Sequence, residues 1–166
     1  MRQTVLKSVS CAVLSLFAAT VVAAQTGANA GTWAKQPAGT MAWLRSVFFI
    51  DQNRGWAAGS KGTLLRTDDG GKTWKPTSSS TDDIVRDVFF IDEQNGWLVC
   101  EVNVYQLKTV DDPRAYLMKT TDGGNHWSRV EIKGFEVDAI LVRAVFSRGG
   151  RGWAFGEAGA IFTTRD

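Results

Sequence analysis

Three arginines, Arg45, Arg86 and Arg143, recur at one point of a repeated phrase, each ahead of an apolar run and a Gly-Trp pair. Guanidinium groups hold carboxylates through paired, charge-assisted hydrogen bonds, so a ring of them would meet acidic partner groups or, in an enzyme, an acidic sugar. A sialidase-like glycoside hydrolase would also need a Tyr and Glu nucleophile pair and an acid. Both tyrosines, Tyr105 and Tyr116, fall in one insertion, and Glu101, Glu131, Glu136 and Glu157 show no placement on an inner strand that completes such a set. His126 is the only histidine and lies in a hairpin turn, so neither a Ser/His/Asp arrangement nor a zinc site can be assembled around it. No catalytic residue, metal or cofactor is expected. Trp43 has no counterpart elsewhere in the chain, and with Tyr105 it is an aromatic candidate for binding.

The elements that must carry these residues follow from self-similarity. Arg45-Ser-Val-Phe-Phe-Ile-Asp-Gln-Asn-Arg-Gly-Trp56, Arg86-Asp-Val-Phe-Phe-Ile-Asp-Glu-Gln-Asn-Gly-Trp97 and Arg143-Ala-Val-Phe-Ser-Arg-Gly-Gly-Arg-Gly-Trp153 align, with 41 and then 56 residues between Gly-Trp pairs. The shorter period is that of a four-stranded propeller blade. The longer one contains the insertion near Glu101 to Ala115, which is expected to lengthen the hairpin between the second and third strands and to carry Tyr105 outward. A second motif follows each complete phrase and fits Ser/Thr-x-Asp-x-Gly-x-x-Trp, with Thr67, Asp69, Gly71 and Trp74 in one copy and Thr120, Asp122, Gly124 and Trp127 in the other. This Asp-box spacing suits a tight hairpin: Asp accepts from backbone N–H groups, Gly takes a left-handed conformation, and Trp anchors the next strand. The paired aspartates at 68/69, 82/83 and 111/112 read as turn residues.

The first blade is expected to place strands a to d at Ser46 to Ile50, Gly55 to Gly59, Thr63 to Thr67 and Thr73 to about Thr77. Blades are expected over about 44–77, 86–132 and 143–166, and Gly31-Thr32-Trp33-Ala34 looks like a lone fourth strand that could strap a last blade. The fold class is therefore all-β, a partial propeller of antiparallel four-stranded blades. Three blades' worth of strands falls below the roughly four to eight with which propellers close. The chain is expected either to be part of a longer protein or to close as a homodimer if it is complete. Trp56, Trp97 and Trp153 recur at equivalent points, as core packing between blades requires.

Of 166 residues, 44% are apolar, enough for a core. Residues 1–30 read as an export signal, with Arg2 and Lys7 ahead of an apolar run and cleavage after Ala24 or Ala30. Two of the 19 basic residues and none of the 17 acids lie there, so the remainder has a formal charge of zero, which argues against a nucleic-acid partner. No transmembrane segment is expected after cleavage. Cys11 leaves with the signal and Cys100 stays alone, so no internal disulfide can form.

The phrase Val-Phe-Phe-Ile-Asp-Gln-Asn-Arg-Gly-Trp-Ala-Ala-Gly-Ser-Lys-Gly-Thr-Leu-Leu-Arg-Thr-Asp-Asp-Gly-Gly-Lys-Thr-Trp, from Val47 to Trp74, resembles the bacterial-neuraminidase-type (BNR) repeats of the photosystem II stability and assembly factor family. The resemblance runs from about Gly31 to Asp166. It implies a seven-bladed propeller acting outside the cytoplasm as a non-enzymatic chaperone, with a protein partner of the membrane-embedded reaction-centre type. In a phototroph its place would be the thylakoid lumen, otherwise the periplasm or the exterior. Blade two departs from the pattern with Leu98-Val-Cys100-Glu101 where Gly-x-x-Gly is expected, and blade three departs at Ser147-Arg148-Gly149-Gly150. The rival readings are the sialidase-like hydrolase and a secreted carbohydrate-binding or adhesion module.

Overall fold

A computed structural model describes residues 31–109, 111–130, 132 and 139–165. The export signal, Glu131 and Glu136 lie outside the described residues. Residues 31–34 form no strand, against the lone fourth strand expected there. The folded unit runs from Lys35 onward.

Eleven strands form three antiparallel sheets among the described residues. The first holds β1 (Leu44–Phe49), β2 (Gly55–Gly59), β3 (Leu64–Thr67) and β4 (Lys75–Thr77) in sequential order. β5 (Ile84–Phe90), β6 (Gly96–Glu101), β7 (Ala115–Thr120) and β8 (Ser128–Val130) repeat it. β9 (Leu141–Phe146), β10 (Gly152–Gly156) and β11 (Ile161–Thr164) form the third. The Gly55–Gly59 strand lies where the sequence places it. The first strand of each sheet begins earlier, because a bulge lets Leu44, Val85 and Leu141 rejoin the ladder beyond an extra residue.

Register explains the Gly-Trp pair. Gly55, Gly96 and Gly152 stand opposite Phe49, Phe90 and Phe146, and a Cβ at each glycine would overlap the phenylalanine ring laid across it. The tryptophan that follows points out of its own sheet into the next. Trp56 stacks on Phe90 at 3.7 Å between centroids, and Trp97 stacks on Phe146 at 4.0 Å. The strands β6 and β7 of the second sheet alternate between the two seams. Leu98 and Cys100 join Trp56, Val88 and Met118 between the first and second sheets, whereas Val99 joins Leu117, Leu141 and Ala144 between the second and third. This is the core packing expected of Trp56 and Trp97, whereas Trp153, expected in the core with them, is 39% exposed on the third sheet.

Candidate partner-binding face

The Asp-boxes are built alike. Thr67, buried beneath its hairpin, donates through Oγ1 to Asp69 Oδ1 at 2.8 Å and accepts from the Gly71 N–H at 2.9 Å. Asp69 also accepts from the Thr73 N–H at 2.9 Å and the Thr73 hydroxyl at 2.6 Å. In the second box Thr120 takes the role of Thr67, and Asp122 accepts from the Asn125 and His126 N–H groups. His126 Nδ1 lies 2.6 Å from Asp122 Oδ2, which makes this histidine a second Thr73 in function: a clasp on the box. Gly71 and Gly124 hold positive φ, and Trp74 and Trp127 sit against them.

The hydroxyl and N–H of Thr73 pull Asp69 down to about 2, and the donors of His126 lower Asp122 further. A carboxylate depressed on folding stabilises fully above its unfolded value near 3.8 and loses that contribution as pH falls through its folded value. Thermal unfolding is therefore expected to move to lower temperature between about pH 4 and pH 2. The double substitution Asp69→Asn and Asp122→Asn is expected to flatten that slope. An equally steep acid response in the double variant would remove the boxes as its cause.

The opposite rim carries the candidate binding residues. It is formed by the turns between second and third strands and by the connectors that lead into each first strand. The Trp43 N–H donates to Ser60 Oγ at 3.1 Å, and the Ser60 N–H returns to the Trp43 carbonyl at 3.0 Å. The Gly62 N–H donates to the Asp83 carbonyl at 2.7 Å, and Asp83 Oδ1 accepts from the Asn103 N–H at 3.3 Å. One chain of hydrogen bonds thus runs from Trp43 to the foot of the insertion. The insertion lengthens the hairpin, carrying the β6–β7 ladder to Glu101 opposite Ala115, and then forms a loop with a 3-10 turn at Val104–Gln106 that Asn103 caps. Asp112 closes it by accepting from the Lys108 and Thr109 N–H groups.

Tyr105 sits on that turn 93% exposed, and Trp43 is 76% exposed. Tyr116 differs: it belongs to β7, is buried, and its hydroxyl donates to Asp83 at 2.8 Å and meets Thr81 at 2.7 Å. Burial raises its pKa and likewise pushes the Cys100 thiol up to about 12, so neither ionises at neutral pH.

The three arginines are not equivalent. Arg45 sits on the bulge of β1, exposed, with no ion-pair partner among the described residues. Arg86 holds the matching bulge of β5, where it donates to Glu101 and lies 3.9 Å from Glu157. Hydrogen bonding to Glu101 raises its pKa further. Arg143 is displaced by one residue. It pairs with Phe155 in the ladder, as Ser46 does with Ala58 and Asp87 with Val99, and Val142 takes the bulge. The turn after β9 keeps its length, with Ser147 N–H donating to Arg151 as Ile50 does to Arg54, so the shift lies in the strand itself. Ser46, Asp87 and Arg143 then form a line across the first strands: the Ser46 hydroxyl donates to Asp87 Oδ1 at 2.6 Å, and Arg143 Nε lies 3.5 Å from Asp87 Oδ2. Burial raises the pKa of Asp87, and Ser46 and then Arg143 oppose that.

Of the Glu and Tyr residues a glycosidase set would draw on, Glu101 and Tyr116 are committed to Arg86 and Asp83. No group of three or more His, Cys, Asp or Glu side chains placed to hold a metal occurs among the described residues. Nor, among them, is any helix long and apolar enough to cross a membrane. Sequence reasoning missed Asp83, Asp87 and Glu101 as partners. Asp87, a lone acid inside an apolar run, was the one visible signal.

Sheets stacked through an aromatic seam and closed by Asp-box hairpins define a partial Asp-box β-propeller. The family model described as "Photosynthesis system II assembly factor YCF48" matches residues 25–104. A solved structure described as "YCF48 bound to D1 peptide" superposes with a TM-score of 0.61 at 28% identity, covering 80% of this chain and 40% of that one. YCF48 from Cyanidioschyzon merolae gives a TM-score of 0.63 at 22% identity, over 81% of this chain and 40% of the other, a likeness of fold. No curated protein matches the chain. By these matches the chain is similar to the photosystem II assembly factor-like BNR propellers, and it spans 40% of the length of the solved relatives.

Proposed function

We propose that the chain is an exported, non-catalytic protein-binding propeller segment of the photosystem II assembly type, and that its Trp43–Tyr105 rim takes a peptide segment of a reaction-centre subunit. The observation that carries the reading is the pairing of a relative bound to D1 peptide with a rim that offers exposed aromatics and, at the start of β1, a guanidinium without an ion-pair partner among the described residues. Arg45 supplies the charge, while Trp43 and Tyr105 supply flat apolar area with a polar edge. Arg86 and Arg143 contribute only where a ligand carboxylate displaces Glu101 or Asp87. Export through residues 1–30 fits this partner, and in a phototroph the destination is the thylakoid lumen; N-terminal sequencing of the exported form would choose between cleavage after Ala24 and after Ala30.

The test is titration of the chain with a fluorescent D1 peptide, read by anisotropy. Arg45→Glu and Tyr105→Ala are each expected to weaken binding about tenfold, roughly 1.4 kcal/mol. Saturable binding that neither change alters would remove this rim from the proposal, and no binding at all would remove the partner.

A further inference from the structure

The second sheet departs from its neighbours at one place in the ladder. There the first sheet sets Gly59 opposite Thr63 and the third sets Gly156 opposite Ala160. A Cβ on either glycine would overlap a backbone carbonyl, of Trp43 or of Ile140, in the connector that leads into its sheet. The second sheet sets Cys100 opposite Tyr116, so its connector cannot lie as close. A side-chain cluster takes the place of that contact. The Tyr116 hydroxyl meets Thr81 at 2.7 Å and donates to Asp83 Oδ2 at 2.8 Å, while Thr81 Oγ1 accepts from the Asp83 N–H at 3.1 Å. Tyr116 is 7% exposed, and the Arg129 guanidinium lies over its ring at 4.1 Å. One oxygen of Asp83 is thus fixed from within the sheet, and the other, Oδ1, accepts from the Asn103 N–H at 3.3 Å.

We infer that Tyr116 and Asp83 are positioning residues for Tyr105: together they fix where the loop starts and hence where its exposed ring stands on the rim. Asn103, whose N–H Asp83 holds, accepts from the Tyr105 N–H at its Oδ1 and from the Gln106 N–H at its carbonyl, at 3.1 and 2.8 Å. The far half of the loop closes on itself through Asp112, and the Val102 N–H donates to the Arg114 carbonyl at 2.9 Å where loop meets ladder. A loop packed by its own groups moves as one piece about its base, so holding Asn103 orients the whole. The tie is a charge-assisted hydrogen bond, roughly twice as strong as a neutral one. A ring held in place before a partner arrives loses less freedom on binding. Every group in the cluster belongs to the second sheet or to the connector entering it, and that sheet has a neighbouring sheet on each face. The effect on a partner rests on the peptide-binding proposal, whereas the placement of the loop does not.

The experiment combines amide hydrogen exchange with titration of the fluorescent D1 peptide, on the full chain and on Tyr116→Phe, Asp83→Ala and Asp83→Asn. Tyr116→Phe keeps the ring under Arg129 and deletes only the hydroxyl. Asp83→Ala removes the acceptor of Asn103, whereas Asp83→Asn keeps one acceptor and offers Thr81 and Tyr116 an N–H in place of the other. Tyr116→Phe and Asp83→Ala are each expected to speed exchange at Asn103, Tyr105 and Gln106 about tenfold and to weaken the peptide about fivefold, with exchange at Val99 and Leu117 unchanged. Asp83→Asn is expected to restore most of both. Wild-type loop exchange in the first two variants would overturn the inference. So would faster exchange throughout the second sheet, which would make the cluster a general support of the fold. Faster loop exchange with undiminished peptide binding would also overturn it. A wild type that binds no peptide would overturn the partner instead, and loop exchange alone would then decide whether Tyr116 and Asp83 hold Tyr105 in place.

Discussion

Trp56→Ala is expected to lower the stability of the chain by about 3–5 kcal/mol. Trp56 is 1% exposed, stacks on Phe90 and lies under the Arg66 guanidinium at 5.8 Å. Its removal opens a cavity between two sheets rather than within one, and repeat architectures depend on such neighbour interfaces for cooperativity. Domains of this kind are stable by only about 5–15 kcal/mol, so the variant is expected to populate a state with the first sheet undocked. Denaturant unfolding followed by fluorescence would read both effects. Trp56→Phe is expected to cost far less, about 1 kcal/mol, because the indole N–H has no hydrogen-bond partner among the described residues. A loss below about 1 kcal/mol for the alanine variant would show that the seam contributes little.

Gly62→Ala comes next, with an expected loss of about 3 kcal/mol from a single methyl group. Gly62 holds φ +61°, and a Cβ there would overlap the Thr81 carbonyl, a backbone atom that cannot rotate aside. The connector at 78–83 is pinned against this turn: Ser79 donates to the Gly62 carbonyl at 2.7 Å and to the Thr81 carbonyl at 3.0 Å, while Gly62 itself donates to Asp83. Moving Thr81 would disturb all three bonds and, through Asp83, the foot of the Tyr105 loop. The variant is therefore expected to unfold at lower temperature and to show faster amide exchange in both the connector and the loop. Wild-type exchange at Asn103 in this variant would disconnect the loop from the turn.

The repeats make most of this architecture legible in the sequence. Phe-Phe-Ile-Asp and Gly-Trp mark opposite ends of one hairpin turn, and the turn chemistry is local: Asp51 Oδ1 accepts from Asn53 and Arg54, and Asp92 Oδ1 accepts from Gln94 and Asn95. The Asp-boxes are legible for the same reason, since Thr67, Asp69 and Gly71 satisfy one another within a few residues. Contacts across strands and sheets are not. Nothing in the order of residues says that Glu101 meets Arg86, because that pairing depends on a bulge. Tyr116 reads as part of the insertion because it follows the Asp111-Asp112-Pro113 turn, yet its position in β7 buries it. Arg143 looks like a third copy of Arg45 because its neighbours in the motif are alike. Its spacing to Trp153, one residue shorter than that from Arg45 to Trp56, is the only sign of its different register.

The line of Ser46, Asp87 and Arg143 also bears on how near-identical repeats avoid assembling in the wrong order. The apolar parts of the two internal seams are so similar that exchanging sheets would still bury aromatic on aromatic. Exchange does not preserve the polar line. Asp87 is buried with a hydroxyl donor from one neighbouring sheet and a guanidinium from the other, and any arrangement that removes both strips a buried carboxylate of its side-chain partners and its countercharge. Three different side chains at one repeated position thus act as an address, distinguishing sheets that hydrophobic packing alone treats as interchangeable.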